Sequence, residues 1–172
     1  MISPLSLNQL TRDYWGQYDP AVIAQLAPLA SDPCYRQKFY KAPADNQELF
    51  AANGYVTYGM RVTPGSLIYG IYLPCVVNTT TPTLSIPPKF TVQVVDVSMQ
   101  RKLWDEPVSS IFLGNFKPTY QSNVTTNMGS FPWLFRCPIP VVGGGQFDVR
   151  IQETSGAPQR IELVFGALEA CG

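Results

Sequence analysis

The chain contains no histidine. Ser-His-Asp and Cys-His catalysis in their usual forms therefore lack their base, and a metal centre built on imidazole has no ligands. Charge is scarce. Only 14% of the 172 residues are Asp, Glu, Lys or Arg, well under the usual quarter. Twelve basic and twelve acidic residues cancel to a formal net charge of +0, so no basic excess exists for a nucleic-acid surface. No run of about 18 apolar residues is present, which argues against a membrane-spanning helix. The opening MISPLSLNQL has neither a basic n-region nor an apolar h-region, so no secretion signal is expected. Cys34, Cys75, Cys137 and Cys171 are scattered without a CxxC spacing. That pattern reads as reduced thiols, with disulfides possible but not required at this size, and not as a Cys-only zinc site.

What is present is β-pattern. Sixteen prolines and thirteen glycines punctuate short segments in a chain that is 45% hydrophobic, as all-β domains do. The clearest stretch is Gly143–Glu169. In Gln146–Glu153, Phe147, Val149 and Ile151 alternate with Asp148, Arg150 and Gln152, the period of a half-buried strand. Thr154-Ser155-Gly156-Ala157-Pro158 breaks the run. From Arg160 the alternation resumes, with Ile161, Leu163, Phe165 and Ala167 on one face. The two runs read as an antiparallel hairpin.

Upstream, Tyr55–Val62 predicts a strand with Val56, Tyr58, Met60 and Val62 inward. Thr63-Pro64-Gly65-Ser66 predicts a turn. Ser66–Leu73 carries Leu67, Tyr69, Ile71 and Leu73 on one face, with Ile68 and Tyr72 on the other. A strand apolar on both faces is covered on both sides or faces an interface. Phe90–Ser98 and Val108–Leu113 predict further strands. Trp133–Val142, with two internal prolines, predicts an edge strand. Short and long connections together indicate an all-β, antiparallel β-sandwich of jelly-roll or Greek-key type. The predicted core is Val56, Met60, Phe90, Val92, Val94, Phe147, Val149, Ile151, Ile161, Leu163 and Phe165. Asp148, Arg150 and Glu162 are predicted outward.

The predicted domains are an N-terminal extended arm at 1–50, carrying a short helix, and the sandwich at 51–172. Asp19-Pro20 is an N-cap and N1 pair, and Pro28 should end the helix it starts. The arm is rich in aromatics, unlike disordered segments, so it should lie on a surface, either its own sandwich or a neighbouring subunit. The partner-facing set is read as Tyr14, Trp15, Val22, Ile23 and Leu26 in the arm, with Ile68, Tyr72 and Trp104 in the sandwich.

No stretch carries a convincing chemistry, so the chain is expected not to be an enzyme and to hold no cofactor and no metal. Gly143-Gly144-Gly145 lacks the Lys-Ser/Thr of a phosphate loop and reads as a bulge or flexible lead into a strand. Asp96, Asp105 and Glu106 satisfy the composition of a glycosidase pair but read as solvated turn residues with Arg101 and Lys102 as loose partners. Trp104 and Trp133 read as core, as interface, or as stacking platforms for sugar rings.

The succession VTPGSLIYGIYLP, FTVQVVDVSMQRKLWDEPV, a long loop, a Pro-bounded strand and GGGQFDVRIQETSG…RIELVFGALE resembles the small jelly-roll virion proteins of tailed bacteriophages. Those proteins decorate or cement capsids or occupy the neck and tail. The resemblance implies an assembly role without catalysis, a virion location reached from the host cytoplasm, a homo-oligomer, and major capsid or neck/tail proteins as partners. No nucleic acid, membrane or small-molecule ligand is expected. The rival expectation is a carbohydrate-binding, lectin-like module, used for host attachment.

Overall fold

The computed structural model describes residues 19–43, 48–73, 76–77, 85–86, 89–113 and 133–171. Seven long strands carry the fold: β1 (Tyr35–Ala42), β2 (Tyr55–Arg61), β3 (Leu67–Tyr72), β4 (Phe90–Asp96), β6 (Trp133–Pro140), β7 (Gln146–Glu153) and β8 (Leu163–Ala170). Between β4 and β6, Arg101–Lys102 and Val108–Ser109 both pair with β4 and make an interrupted fifth strand, β5. One sheet has the order β1-β8-β3-β6 and the other β2-β7-β4-β5. All pairings among these strands are antiparallel. First beside eighth, third beside sixth, and second-seventh-fourth-fifth opposite is the strand order of a jelly roll. Short pairs at Glu48–Phe50 with Gln159–Ile161 and at Val76–Val77 with Ser85–Ile86 lie outside this frame.

The interior is filled by the predicted rows. Phe90, Val92, Val94, Phe147, Val149, Ile151, Ile161, Leu163 and Phe165 are each 0% exposed. Met60 is buried with them and Val56 packs against them. β6 is an edge strand, as its prolines require.

Several expectations are corrected. The sandwich does not begin at residue 51: β1 is its first strand, paired along its whole length with β8 from Tyr35↔Ala170 to Ala42↔Leu163. β7 and β8 are not a hairpin. They lie in opposite sheets, and residues 154–162 cross between them. In β3 the alternation slips. Gly70 pairs with Gly166 and Ile68 with Ala167, leaving Tyr69 as an extra residue. This bulge puts Ile68 and Ile71 in the sandwich core and Tyr69 and Tyr72 on the outer face. The segment after Val108–Ser109 is a helical turn, Ser110–Leu113, and not a continuing strand. Glu162, predicted outward, is nonetheless buried, with Lys41 Nζ at 3.3 Å.

Helix α1 (Pro20–Ser31) covers the outer face of the β1-β8-β3-β6 sheet. Asp19 caps it, its carboxylate accepting from the Ala21 N–H at 2.9 Å. It runs past Pro28 to Ser31, because Pro28 sits on the exposed side while Leu26 and Leu29 hold the helix to the sheet on either side of it. Val22 and Leu26 pack on Tyr69, Tyr72, Val164 and Leu168. The strand that is apolar on both faces is therefore covered by its own chain.

Candidate functional site

The jelly roll brings its turns together at two ends. At one end, Val62 N–H donates to Gly145 O (2.8 Å), Gly65 N–H to Val141 O (2.9 Å), Val141 N–H to Ser66 O (2.8 Å) and Val97 N–H to Gln146 O (2.9 Å). The turns at 63–66, 97–100 and 141–145 are thus laced together. Gly143 and Gly145 adopt φ of +65° and +62°, where only glycine is at ease, and a Cβ on Gly143 would lie 3.3 Å from the Ser98 Cβ. At the other end, Thr154 N–H donates to Lys89 O, Glu153 N–H to Gly54 O and Phe90 N–H to Ser110 Oγ. All the longer connections between strands leave from that second end.

The first, short-turn end has two layers. Its three laced turns carry no charge: none of residues 63–66, 97–100 or 141–145 is Asp, Glu, Lys or Arg, yet Met99 is 50% and Val142 43% exposed. Beneath it the inward rows of several strands change from apolar to polar. Phe90, Val92 and Val94 are followed by Asp96; Leu163, Phe165 and Ala167 by Glu169; Ile68 is preceded by Ser66. Asp96, Glu169 and Ser66 are all buried. Glu169 accepts from Arg36 Nε at 2.8 Å and from Lys38 Nζ at 3.2 Å. Hydrogen bonding from Thr63 and then Arg36 holds its carboxyl far below the ordinary range, at about 2. Asp96 Oδ1 accepts from the Met99 N–H at 3.1 Å, and Arg101 Nε stands 4.0 Å from Oδ2. Asp96 is therefore not the solvated turn residue expected from the sequence; its place in an inward row buries it. Asp105 and Glu106 are exposed.

At the opposite end Glu153 closes the inward row of β7 and organises the crossing loop. Its buried carboxylate accepts from the Asn53 N–H (2.8 Å), the Gly156 N–H (3.1 Å), Gln159 Nε2 (3.0 Å) and, at closer range, the Ser155 N–H. Burial pushes its pKa up, but these hydrogen bonds outweigh burial and leave it lowered. This carboxylate caps the crossing loop.

The sequence-predicted partner residues fall apart in space. Tyr14 and Trp15 lie outside the described residues. Val22 and Leu26 are 3% and 0% exposed under α1, Tyr72 is buried beside them, and Ile68 faces the sandwich interior. These four are closed within the chain, because α1 lies on its own sheet. Ile23 is half-buried. Trp104 is half-buried too, and with Trp133 and Phe135 it plugs the gap between the sheets on the β5–β6 side. The ring centroids are 6.4 Å apart for Trp104–Trp133 and 5.2 Å for Trp133–Phe135, both edge-to-face. Trp104 Nε1 donates to Val92 O at 3.2 Å. The two indoles pack on each other and on the core.

Under α1, Tyr69 and Tyr72 share a hydroxyl contact at 3.1 Å and Gln37 Nε2 reaches the Tyr69 hydroxyl. Burial pushes the Tyr69 phenol up to about 12. Sequence reasoning missed this network because β1 was hidden among residues read as an arm. The clue was Tyr35, Gln37 and Phe39 alternating with Arg36 and Lys38. It also missed that Cys34 and Cys171 meet at the open end of the β1–β8 ladder, where the Cys171 N–H donates to Cys34 O at 2.7 Å.

Among the described residues no group of three or more His, Cys, Asp or Glu side chains is placed to hold a metal ion, and no helix is long and apolar enough to cross a membrane. The chain matches no known protein family, and no curated protein is similar to it.

Proposed function

We propose that the chain is a non-enzymatic structural protein of a tailed-bacteriophage virion, decorating or cementing the capsid or forming part of the neck or tail, and that it docks through the short-turn end of its jelly roll. The observation that carries this reading is the composition of that end. Three laced turns expose Met99 and Val142 without a single charged side chain, while Arg36, Lys38 and Arg101 stand at its margin, each at least 42% exposed along the side chain. Interfaces have this anatomy, with a charge-poor centre enriched in Met and a polar rim. Because the turns are already fixed by hydrogen bonds and glycine geometry, docking them sacrifices little conformational entropy. The jelly roll, a fold common to capsid and lectin domains, and the low overall charge are in keeping with it.

The test is incorporation. Met99→Asp/Val142→Asp is expected to melt within about 2 °C of the wild type, since both side chains are exposed, but to appear in purified particles at least about tenfold below the wild-type copy number, a loss equivalent to ~1.4 kcal/mol of docking. Absence of the wild-type protein from purified particles would refute the assembly role. Specific binding on a glycan array in the absence of particle association would replace it with the carbohydrate-binding reading, for which Trp104 and Trp133 offer no free platform.

A further inference from the structure

We propose that Cys34 and Cys171 are a disulfide-forming pair that staples the first strand of the jelly roll to the last. The register from Tyr35↔Ala170 through Arg36↔Glu169 extends by one step to place Cys34 opposite Cys171, and the 2.7 Å bond from the Cys171 N–H to Cys34 O continues the ladder there. Side chains alternate along each strand, so both cysteines fall on the face shared by Arg36 and Glu169, whose ion pair at 2.8 Å shows that side chains on this face meet across the two strands. A hydrogen-bonded antiparallel pair has Cα atoms about 5.5 Å apart, inside the window of about 4.4–6.8 Å that a disulfide needs. Both residues are exposed and both are free thiols, so an oxidant can reach them. Asp32, by a hydrogen bond and its charge, holds the Cys34 thiol above its usual range, and Cys171 adds to the effect.

The closure is an ordinary exchange with a small disulfide such as oxidised glutathione. The thiolate of one cysteine attacks a glutathione sulfur, and the departing glutathione thiolate takes up the proton that the cysteine gave to solvent. The other cysteine, as thiolate, attacks the protein sulfur of the mixed disulfide and expels the second glutathione, which is likewise protonated. Two protein thiols lose two hydrogens, and one oxidised glutathione becomes two reduced ones. The result matters for the fold because β1 is an edge strand whose ladder, among the described residues, is with β8 alone, and it leads directly from α1. A bond at its open end stops both from fraying. It also closes nearly the whole domain into one loop, the case in which a cross-link most restricts the unfolded chain.

The experiment uses the full chain, incubated with oxidised glutathione, alkylated with iodoacetamide without reduction, digested and mapped by mass spectrometry. The expected product is a linked peptide joining Cys34 to Cys171, with Cys137 alkylated or glutathionylated. The oxidised protein should melt about 10 °C above the dithiothreitol-treated protein. In Cys34→Ser and Cys171→Ser the remaining partner should instead keep a glutathione adduct and the melting difference should vanish. These are exposed positions, so both variants should fold. Cys34 and Cys171 recovered alkylated, or each carrying a stable glutathione adduct in the wild type, would overturn the proposal. So would a Cys34–Cys171 link that leaves the melting temperature unchanged.

Discussion

Leu26→Ala separates a helix that belongs to the domain from one that belongs to a neighbour. Leu26 is 0% exposed and packs, with Val22, on Tyr69, Tyr72, Val164 and Leu168. Truncation removes most of a fully buried side chain, about 1.5–3 kcal/mol of transfer free energy. The hole cannot collapse easily, since its floor is a sheet whose strands are paired on both sides and its Tyr69 and Tyr72 rings are tied by a hydroxyl contact at 3.1 Å. The cavity adds to the cost, so about 2–5 kcal/mol is expected in total. For a chain of this size that is a fall in Tm of roughly 5–15 °C. The assay is thermal unfolding of the dilute protein, followed by tyrosine and tryptophan fluorescence, with exposed Ala24→Ser as the control, expected within about 0.5 kcal/mol of wild type. If Leu26→Ala melts with the control, α1 is not held to this sheet in solution, and the placement of residues 19–31 argued above is wrong.

Other consequences are equally direct. Glu169 has a carboxyl depressed from 4.5 to about 2, so its contribution to stability is full above about pH 4.5 and is lost as pH falls through 2; Glu169→Gln should flatten urea midpoints plotted between about pH 5 and 2, and an unchanged slope would remove Glu169 from the acid response. Gly145→Ala places a Cβ against the Val62 carbonyl at a residue with φ of +62°, and should cost roughly 1–3 kcal/mol in urea denaturation, whereas Gly156→Ala, also at positive φ but with open space around it, should cost less. Glu153→Gln keeps the shape but replaces one acceptor oxygen by a donor facing backbone N–H groups. At about 1–3 kcal/mol for a buried donor left unsatisfied, it should lower stability and raise amide exchange at Ser155 and Gly156. Spectrophotometric titration should show Tyr69 ionising only near pH 12, and loss of that late step would mean the α1 layer opens freely.

The sequence by itself determined the class of fold and most of the core. Period-two alternation is a local property, set by the pleat, so Phe90–Val94, Phe147–Ile151 and Leu163–Ala167 could be assigned to an interior without knowing their partners. Prolines marked β6 as an edge because a missing N–H is a local fact too. Partnership was not local. Whether β8 pairs with β7, its neighbour in sequence, or with β1, more than a hundred residues away, depends on which sheet each strand joins, and two equally alternating strands look alike in either case. The bulge at Tyr69 depends on the register between β3 and β8, so the sequence alternation put that ring on the wrong face. The candidate docking end was invisible for the same reason. Its three turns are ordinary Gly/Pro/Ser segments taken one at a time, and their lack of charge becomes a surface property only when the jelly roll sets Thr63–Ser66, Val97–Gln100 and Val141–Gly145 side by side. Cys34 and Cys171 are scattered cysteines in the sequence and cross-strand neighbours in the fold, because only the closing of the first strand on the last brings them together.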